Sequence, residues 1–238
     1  MAYTLDRAPR EAPRPLTFAW NGGPGSNSLL LQLSALGPRR LTDDGERGDH
    51  AGLIAFEDNE ATWLDATDLV FVDPIGTGFS RPSRPEYADD FYAVLGDIAT
   101  TVEFIRTYRA RFDAWDAPVY LAGESYGVWR AAGAAESMER AGQRVVRNTD
   151  GPPGGTPPWP RRAMDLDPAL RTFVATGMYD SLNSCPANFY LLSRLATRDA
   201  GRITFRCYEG GHMMYEDRQP RLDLARDMRR FYGDRGRW

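Results

Sequence analysis

Residues 118–127 read Pro-Val-Tyr-Leu-Ala-Gly-Glu-Ser-Tyr-Gly, a short apolar run ending in a serine bracketed by Gly123 and Gly127, and VWRAAGAAESM follows with helical character. G-x-S-x-G set between a strand and a helix is the pattern of a nucleophile turn. A serine hydroxyl attacks a carbonyl poorly until a base takes its proton, so the side chain has to stand out on a sharp turn within reach of that base. The two glycines leave the turn room, because a Cβ at either place crowds neighbouring backbone. The pentapeptide by itself arises by chance in many chains. Its meaning depends on the surroundings.

On the N-terminal side, LTFAW (16–20) suits a buried strand and runs into Asn21-Gly22-Gly23-Pro24-Gly25. Such a cluster is either a tight surface turn or a loop whose unhindered N–H groups face a developing oxyanion. The serine turn downstream favours the second reading. Residues 28–36 have helical spacing and stop at Gly37-Pro38, and the polar stretch 39–62, which holds His50, reads as mostly loop. TDLVFV (67–72) is a second buried strand. The glycine-rich 73–80 after it lacks the Gly-Lys-Ser/Thr ending of a phosphate loop and reads as an active-site loop. Residues 93–112 carry apolar side chains at amphipathic-helix spacing.

Beyond the nucleophile helix, 147–162 (RNTDGPPGGTPPWPRR) is too rich in Pro and Gly for regular structure and reads as a loop. RTFVATG (171–177) and ITFRCY (203–208) are strand-like, with helices over 186–195 and 222–232. Strands alternating with helices specify a single α/β domain over 1–238, with a mostly parallel sheet and helices on both faces.

The chemistry needs a base, and the chain offers two histidines, His50 and His212. His212 follows a strand in Glu-Gly-Gly-His-Met-Met, and Asp180 follows the preceding strand in Gly-Met-Tyr-Asp. Taken singly, these are a turn serine, a capping aspartate and a surface histidine. Together, Ser125, Asp180 and His212 stand in the chain order of an α/β-hydrolase triad, each at a strand's C-terminal end, where open α/β sheets keep their sites.

Composition excludes several classes of function. A net charge of -4 gives no basic footprint for nucleic acid. The basic residues are all arginine, which reads as a coding bias. No stretch approaches a membrane span, and the first residues lack the apolar core of a secretion signal. The expectation is a soluble, cytoplasmic chain with no cofactor and no metal. Its partner is a small-molecule or peptide substrate. In a cytoplasmic chain Cys185 and Cys207 are expected as free thiols, although the count also allows one bridge.

Five ordered motifs, WNGGPGS, TDLVFVDPIGTGFS, LAGESYG, ATGMYD and EGGHMMY, together resemble the serine carboxypeptidase family, particularly its bacterial members. The resemblance runs from about Thr4 to Tyr232 apart from the Pro/Gly stretch, and it implies the α/β-hydrolase fold. It implies Ser125 as nucleophile, His212 as general base and Asp180 as its orienter, with an oxyanion hole from the Gly23 and Tyr126 N–H groups. It also implies that Asn21 and Glu124 recognise a substrate carboxylate, with Gly22 and Met213 beside them. Two departures stand out. The family has a further glutamate in its first helix where this chain has Ala35, and it inserts a helical cap where this chain has 147–162. The chemistry open to such a chain is hydrolysis of a peptide, amide or ester. Acyl transfer through the same acyl-enzyme, or a binding module on a reused fold, are the alternatives.

Overall fold

The computed structural model describes residues 1–6, 12–42, 55–142, 147–148 and 159–233, and His50 lies outside them. Among the described residues, seven strands form one sheet: β1 (Ala2–Tyr3), β2 (Leu16–Trp20), β5 (Asp68–Phe71), β6 (Val119–Gly123), β7 (Arg147–Asn148), β8 (Arg171–Gly177) and β9 (Ile203–Tyr208). Their order across the sheet is β1-β5-β2-β6-β7-β8-β9. β1 is antiparallel to β5 and every other pair is parallel. β2 lies centrally, with Trp20 level with Gly123 of β6. All five of its residues are buried, because helices cover both faces and both faces must be apolar.

One face carries helices α1 (Val94–Arg111), α2 (Gly127–Arg140) and α3 (Trp159–Leu166). Leu16, Phe18, Trp20 and Leu121 pack there against Ile105, Ala134, Met138 and Ala163. After α3 comes α4 (Cys185–Ser193), and α5 (Arg218–Gly233) covers the opposite face. There Ala19, Tyr120, Ala122 and Phe173 meet Leu224, Met228, Phe231 and Tyr232. Thr17 turns its hydroxyl to that second face, 2.7 Å from both Thr67 Oγ1 and Tyr232 Oη. This alternation along β2 is the period-two rule of a strand buried on both sides. No helix among the described residues is long and apolar enough to cross a membrane.

Several local expectations change. The helix expected at 28–36 widens into a π-helical turn, Leu31–Leu36, closed by Gly37 N–H donating to Gln32 O at 3.1 Å. The stretch 39–62 contains a small antiparallel ribbon, β3 (Arg39–Leu41) with β4 (Phe56–Asp58). Two of its three cross-strand pairs are charged, Arg39 with Asp58 and Arg40 with Glu57, and Leu41 with Phe56 is the third, so no hydrophobic alternation marked it. The loop expected over 147–162 holds β7 at its start and the first turn of α3 at its end. Pro160 sits in that first turn, where a missing N–H costs no helical hydrogen bond.

The expectation of free thiols is corrected: Cys185, which opens α4, and Cys207 on β9 form a disulfide, with Cα atoms 6.0 Å apart and a sequence separation of 22. Their approach follows from the strand register. Cys207 lies level with Thr176 of β8, and Cys185 Sγ sits 3.9 Å from Thr176 O and 3.7 Å from Gly177 O. Intact mass under non-reducing conditions is expected to be two hydrogens below the free-thiol mass. Replacing both cysteines by alanine is expected to lower unfolding free energy by about 3 kcal/mol, the usual effect of closing a loop of this size. An unchanged urea midpoint in that variant would contradict the bridge's structural role.

Candidate active site

Four loops meet at one edge of the sheet because the parallel strands β2, β6, β8 and β9 all end there. The loop after β6 carries Ser125 with φ at 53°, in the left-handed region that side chains other than glycine seldom occupy. The turn is pinned by Gly127 N–H donating to Glu124 O at 2.7 Å and by Trp20 Nε1 donating to Gly127 O at 2.8 Å. A Cβ on Gly127 falls 2.8 Å from Trp20 Cδ1 and 2.9 Å from Trp20 O, closer than the contact allows.

The loop after β2 is fixed by Asn21, which is buried and uses both ends of its side chain. Its Oδ1 accepts from Leu31 N–H at 3.0 Å, and its Nδ2 donates to Glu124 Oε2 at 3.1 Å. The same Glu124 oxygen accepts from Gly22 N–H at 3.3 Å. Gly22 lies so close to the serine turn that a Cβ there meets Tyr126 N at 2.5 Å and Ser125 Cβ at 2.9 Å. Gly23 and Ser125 line the same open cavity, and the Tyr126 N–H belongs to the residue that follows Ser125. Neither the Gly23 nor the Tyr126 N–H donates to an acceptor among the described residues.

The loops after β8 and β9 bring in Asp180 and His212. Asp180 is buried; its Oδ1 accepts from Leu182 N–H at 2.8 Å and Asn183 N–H at 3.3 Å, which leaves Oδ2 for His212 Nδ1, also at 2.8 Å. With the proton on Nδ1 donated to Asp180, Nε2 is free to accept from Ser125 Oγ, 3.0 Å away. His212 Nε2 also lies 3.6 Å from Glu124 Oε1. Met213 lines an open cavity on the Asn21 and Gly23 side of the serine, with Leu30 and Asn27 opposite.

Two groups were missed in the sequence. Arg130, on α2 and only 2 % exposed, makes a fork to Asp97 of α1, with contacts between 2.8 and 3.1 Å. Its Nη1 donates at 3.1 Å to Asn21 O, so this ion pair braces the loop after β2 from behind. The guanidinium also lies 5.5 Å from the Tyr126 ring centroid. Tyr215 is the second. Burial first, then the charges of Glu124 and Glu216, push its hydroxyl above the usual phenol range, so it stays a neutral group beside Glu124. Both lie inside stretches that read as plain helix or loop, and nothing in spacing alone marks an arginine that will be buried.

With the geometry in place, comparison with known proteins is specific. The serine carboxypeptidase family model matches residues 3–136, more than half of the chain, and the chain belongs to that family. The pheromone-processing carboxypeptidase KEX1 of Debaryomyces hansenii is 40% identical over 121 residues, which is 49% of this chain and 15% of that protein. The chain thus spans a minor part of the curated relatives it matches. Among solved structures, the prohormone-processing carboxypeptidase KEX1(Δ)P of Saccharomyces cerevisiae aligns over 73% of this chain and 32% of its own, at 22% identity and a TM-score of 0.50. A Pyrococcus furiosus esterase aligns over 93% and 82% at 10% identity and a TM-score of 0.56. These last two likenesses show the α/β-hydrolase fold. The expectation of a cytoplasmic protein does not stand. The relatives are named for processing pheromones and prohormones, and the Cys185–Cys207 bridge is of a kind rare in reducing compartments.

The Arg130–Asp97 pair yields a direct expectation. Arg130→Met strands the Asp97 carboxylate in a buried site and is expected to lose about 3–5 kcal/mol of stability. Adding Asp97→Leu restores most of that loss, because a well-packed apolar pair replaces a buried ion pair at little cost. The doubly substituted protein still lacks the donor to Asn21 O, so its turnover is expected to stay depressed at unchanged KM. Full turnover in a stable double variant would reduce the pair to packing.

Proposed function

We propose that this chain is a serine hydrolase of the carboxypeptidase type that cleaves peptide, amide or ester bonds through an acyl-Ser125 intermediate. The observation that carries the reading is the continuous relay from Ser125 Oγ through His212 to Asp180, at 3.0 and 2.8 Å. In it Ser125 attacks the carbonyl while His212 takes its proton and returns it to the leaving group. Asp180 holds the imidazole tautomer and stabilises the imidazolium. The Gly23 and Tyr126 N–H groups receive the oxyanion. His212 is exposed, so water reaches the acyl-enzyme, and this favours hydrolysis over acyl transfer.

Substrate selection falls to Asn21, Gly22, Glu124 and Met213. No second carboxyl among the described residues is hydrogen-bonded to Glu124, and Ala35 stands where the resemblance expects one. Two negative charges 4 Å apart repel by about 4 kcal/mol at an effective dielectric near 20. One hydrogen bond from Asn21 to a charged group returns about 1.5–3 kcal/mol. A free C-terminal carboxylate beside a Glu124 carboxylate is therefore a poor substrate, and a neutral leaving end is preferred. We take residues 1–238 as a single α/β-hydrolase domain.

Ser125→Ala and His212→Ala are each expected to lower kcat/KM on the order of ten-thousandfold or more, and Asp180→Asn somewhat less, with unchanged unfolding midpoints. On an N-blocked dipeptide and its C-terminal amide, the amide is expected to turn over faster, and Ala35→Glu to shift the balance toward the free acid. Faster turnover of the free acid by the unaltered protein would overturn the preference while leaving the relay intact.

A further inference from the structure

We propose that the cavity behind Ser125 is a pocket for an unbranched apolar acyl chain, so that the chain acts as an esterase on aliphatic acyl esters. This rests on the Ser125 nucleophile proposed above and adds the class of acyl group. The cavity has a volume of about 330 Å³ and is continuous from Ser125 and His212 to Met228 of α5. That is within the range of small-molecule sites, which begins near 300 Å³. Close-packed interiors keep few voids larger than a water molecule, so a space of this size in the core calls for an occupant.

Its lining changes character along its length. The polar groups lie toward the sheet edge, Glu124 and Ser125 after β6, Thr176 near the end of β8, Asp180 and Asn183 after it, and His212 and Tyr215 after β9. The inner part is formed by Ala35, Trp63, Phe173, Leu224 and Met228. All five belong to the buried cluster between the sheet and α5. Ala35, 2 % exposed, contributes only a methyl group to that lining.

An apolar space without hydrogen-bonding groups stays dry and accepts apolar matter. A peptidyl chain entering it brings N–H and C=O groups that find no partners, each at a cost. A hydrocarbon chain brings none. In the reaction, Ser125 Oγ bonds to the ester carbonyl carbon and the bond from that carbon to the alcohol oxygen breaks, with the serine proton passing through His212 to the departing alcohol. Water then adds to the acyl carbon, giving its proton to His212. The Oγ–carbon bond breaks, the fatty acid leaves, and that proton returns to Ser125.

The test is hydrolysis of 4-nitrophenyl esters from acetate to dodecanoate by the whole chain. kcat/KM is expected to rise about fourfold for each methylene added, the effect of burying one such group, until the cavity is full, and then to fall. Leu224→Trp, which shortens the inner end, is expected to move the optimum to shorter chains. Should that variant not fold, Met228→Phe carries the same expectation. A flat chain-length series, or an optimum unmoved in a folded variant, overturns the pocket while acetate hydrolysis upholds the nucleophile. If no ester is hydrolysed the nucleophile reading fails instead. The pocket is then read by decanol, which is expected to raise the thermal midpoint of the unaltered protein more than ethanol does; equal midpoints overturn it.

Discussion

The backbone of Ser125, held at a φ of 53°, is the constraint on which the site depends. A left-handed residue with a side chain costs about 1–2 kcal/mol, and the surrounding packing has to hold it there. The hydrogen bond from the Trp20 indole to Gly127 O and the contact of Gly22 with Tyr126 do so. Both come from β2 or the loop that leaves it. The central strand and the serine turn are thus one unit, and the glycines at 22 and 127 are required by that close approach.

Parallel register does the rest. β8 and β9 end beside each other, with Gly177 level with Tyr208, so the loops carrying Asp180 and His212 emerge together. The Cys185–Cys207 bridge ties the helix after Asp180 to the strand before His212. Behind the loop after β2, Arg130 and Asp97 link α2, α1 and Asn21 into one brace. A buried ion pair of this kind adds little net stability but fixes geometry, because its alternatives leave a charge unpaired. The loops that carry Ser125, Asp180 and His212 are in this way fastened at their backs.

Much of this was legible in the sequence. LTFAW and RTFVATG are runs of β-forming residues bounded by turn signals, and both strands occur at those residues. Ser125, Asp180 and His212 could be found because strand ends carry recognisable glycine-rich loops. Short strands were not legible: Ala2–Tyr3 is held by pairing to β5 and by the Tyr3 ring against Phe71, neither of which leaves a local pattern. The disulfide depends on cross-strand register, and Arg130 is buried only because Asp97, far away in sequence, comes to meet it. What the sequence hides is long-range pairing, and that pairing supports the site from behind.

The most direct measurement is the site of covalent capture by a fluorophosphonate, mapped by peptide mass spectrometry on the whole chain. The account predicts one adduct, on Ser125, whose formation slows by orders of magnitude in His212→Ala and is unaffected by changing His50. An adduct on another serine, or labelling of Ser125 that is indifferent to His212, would contradict the relay.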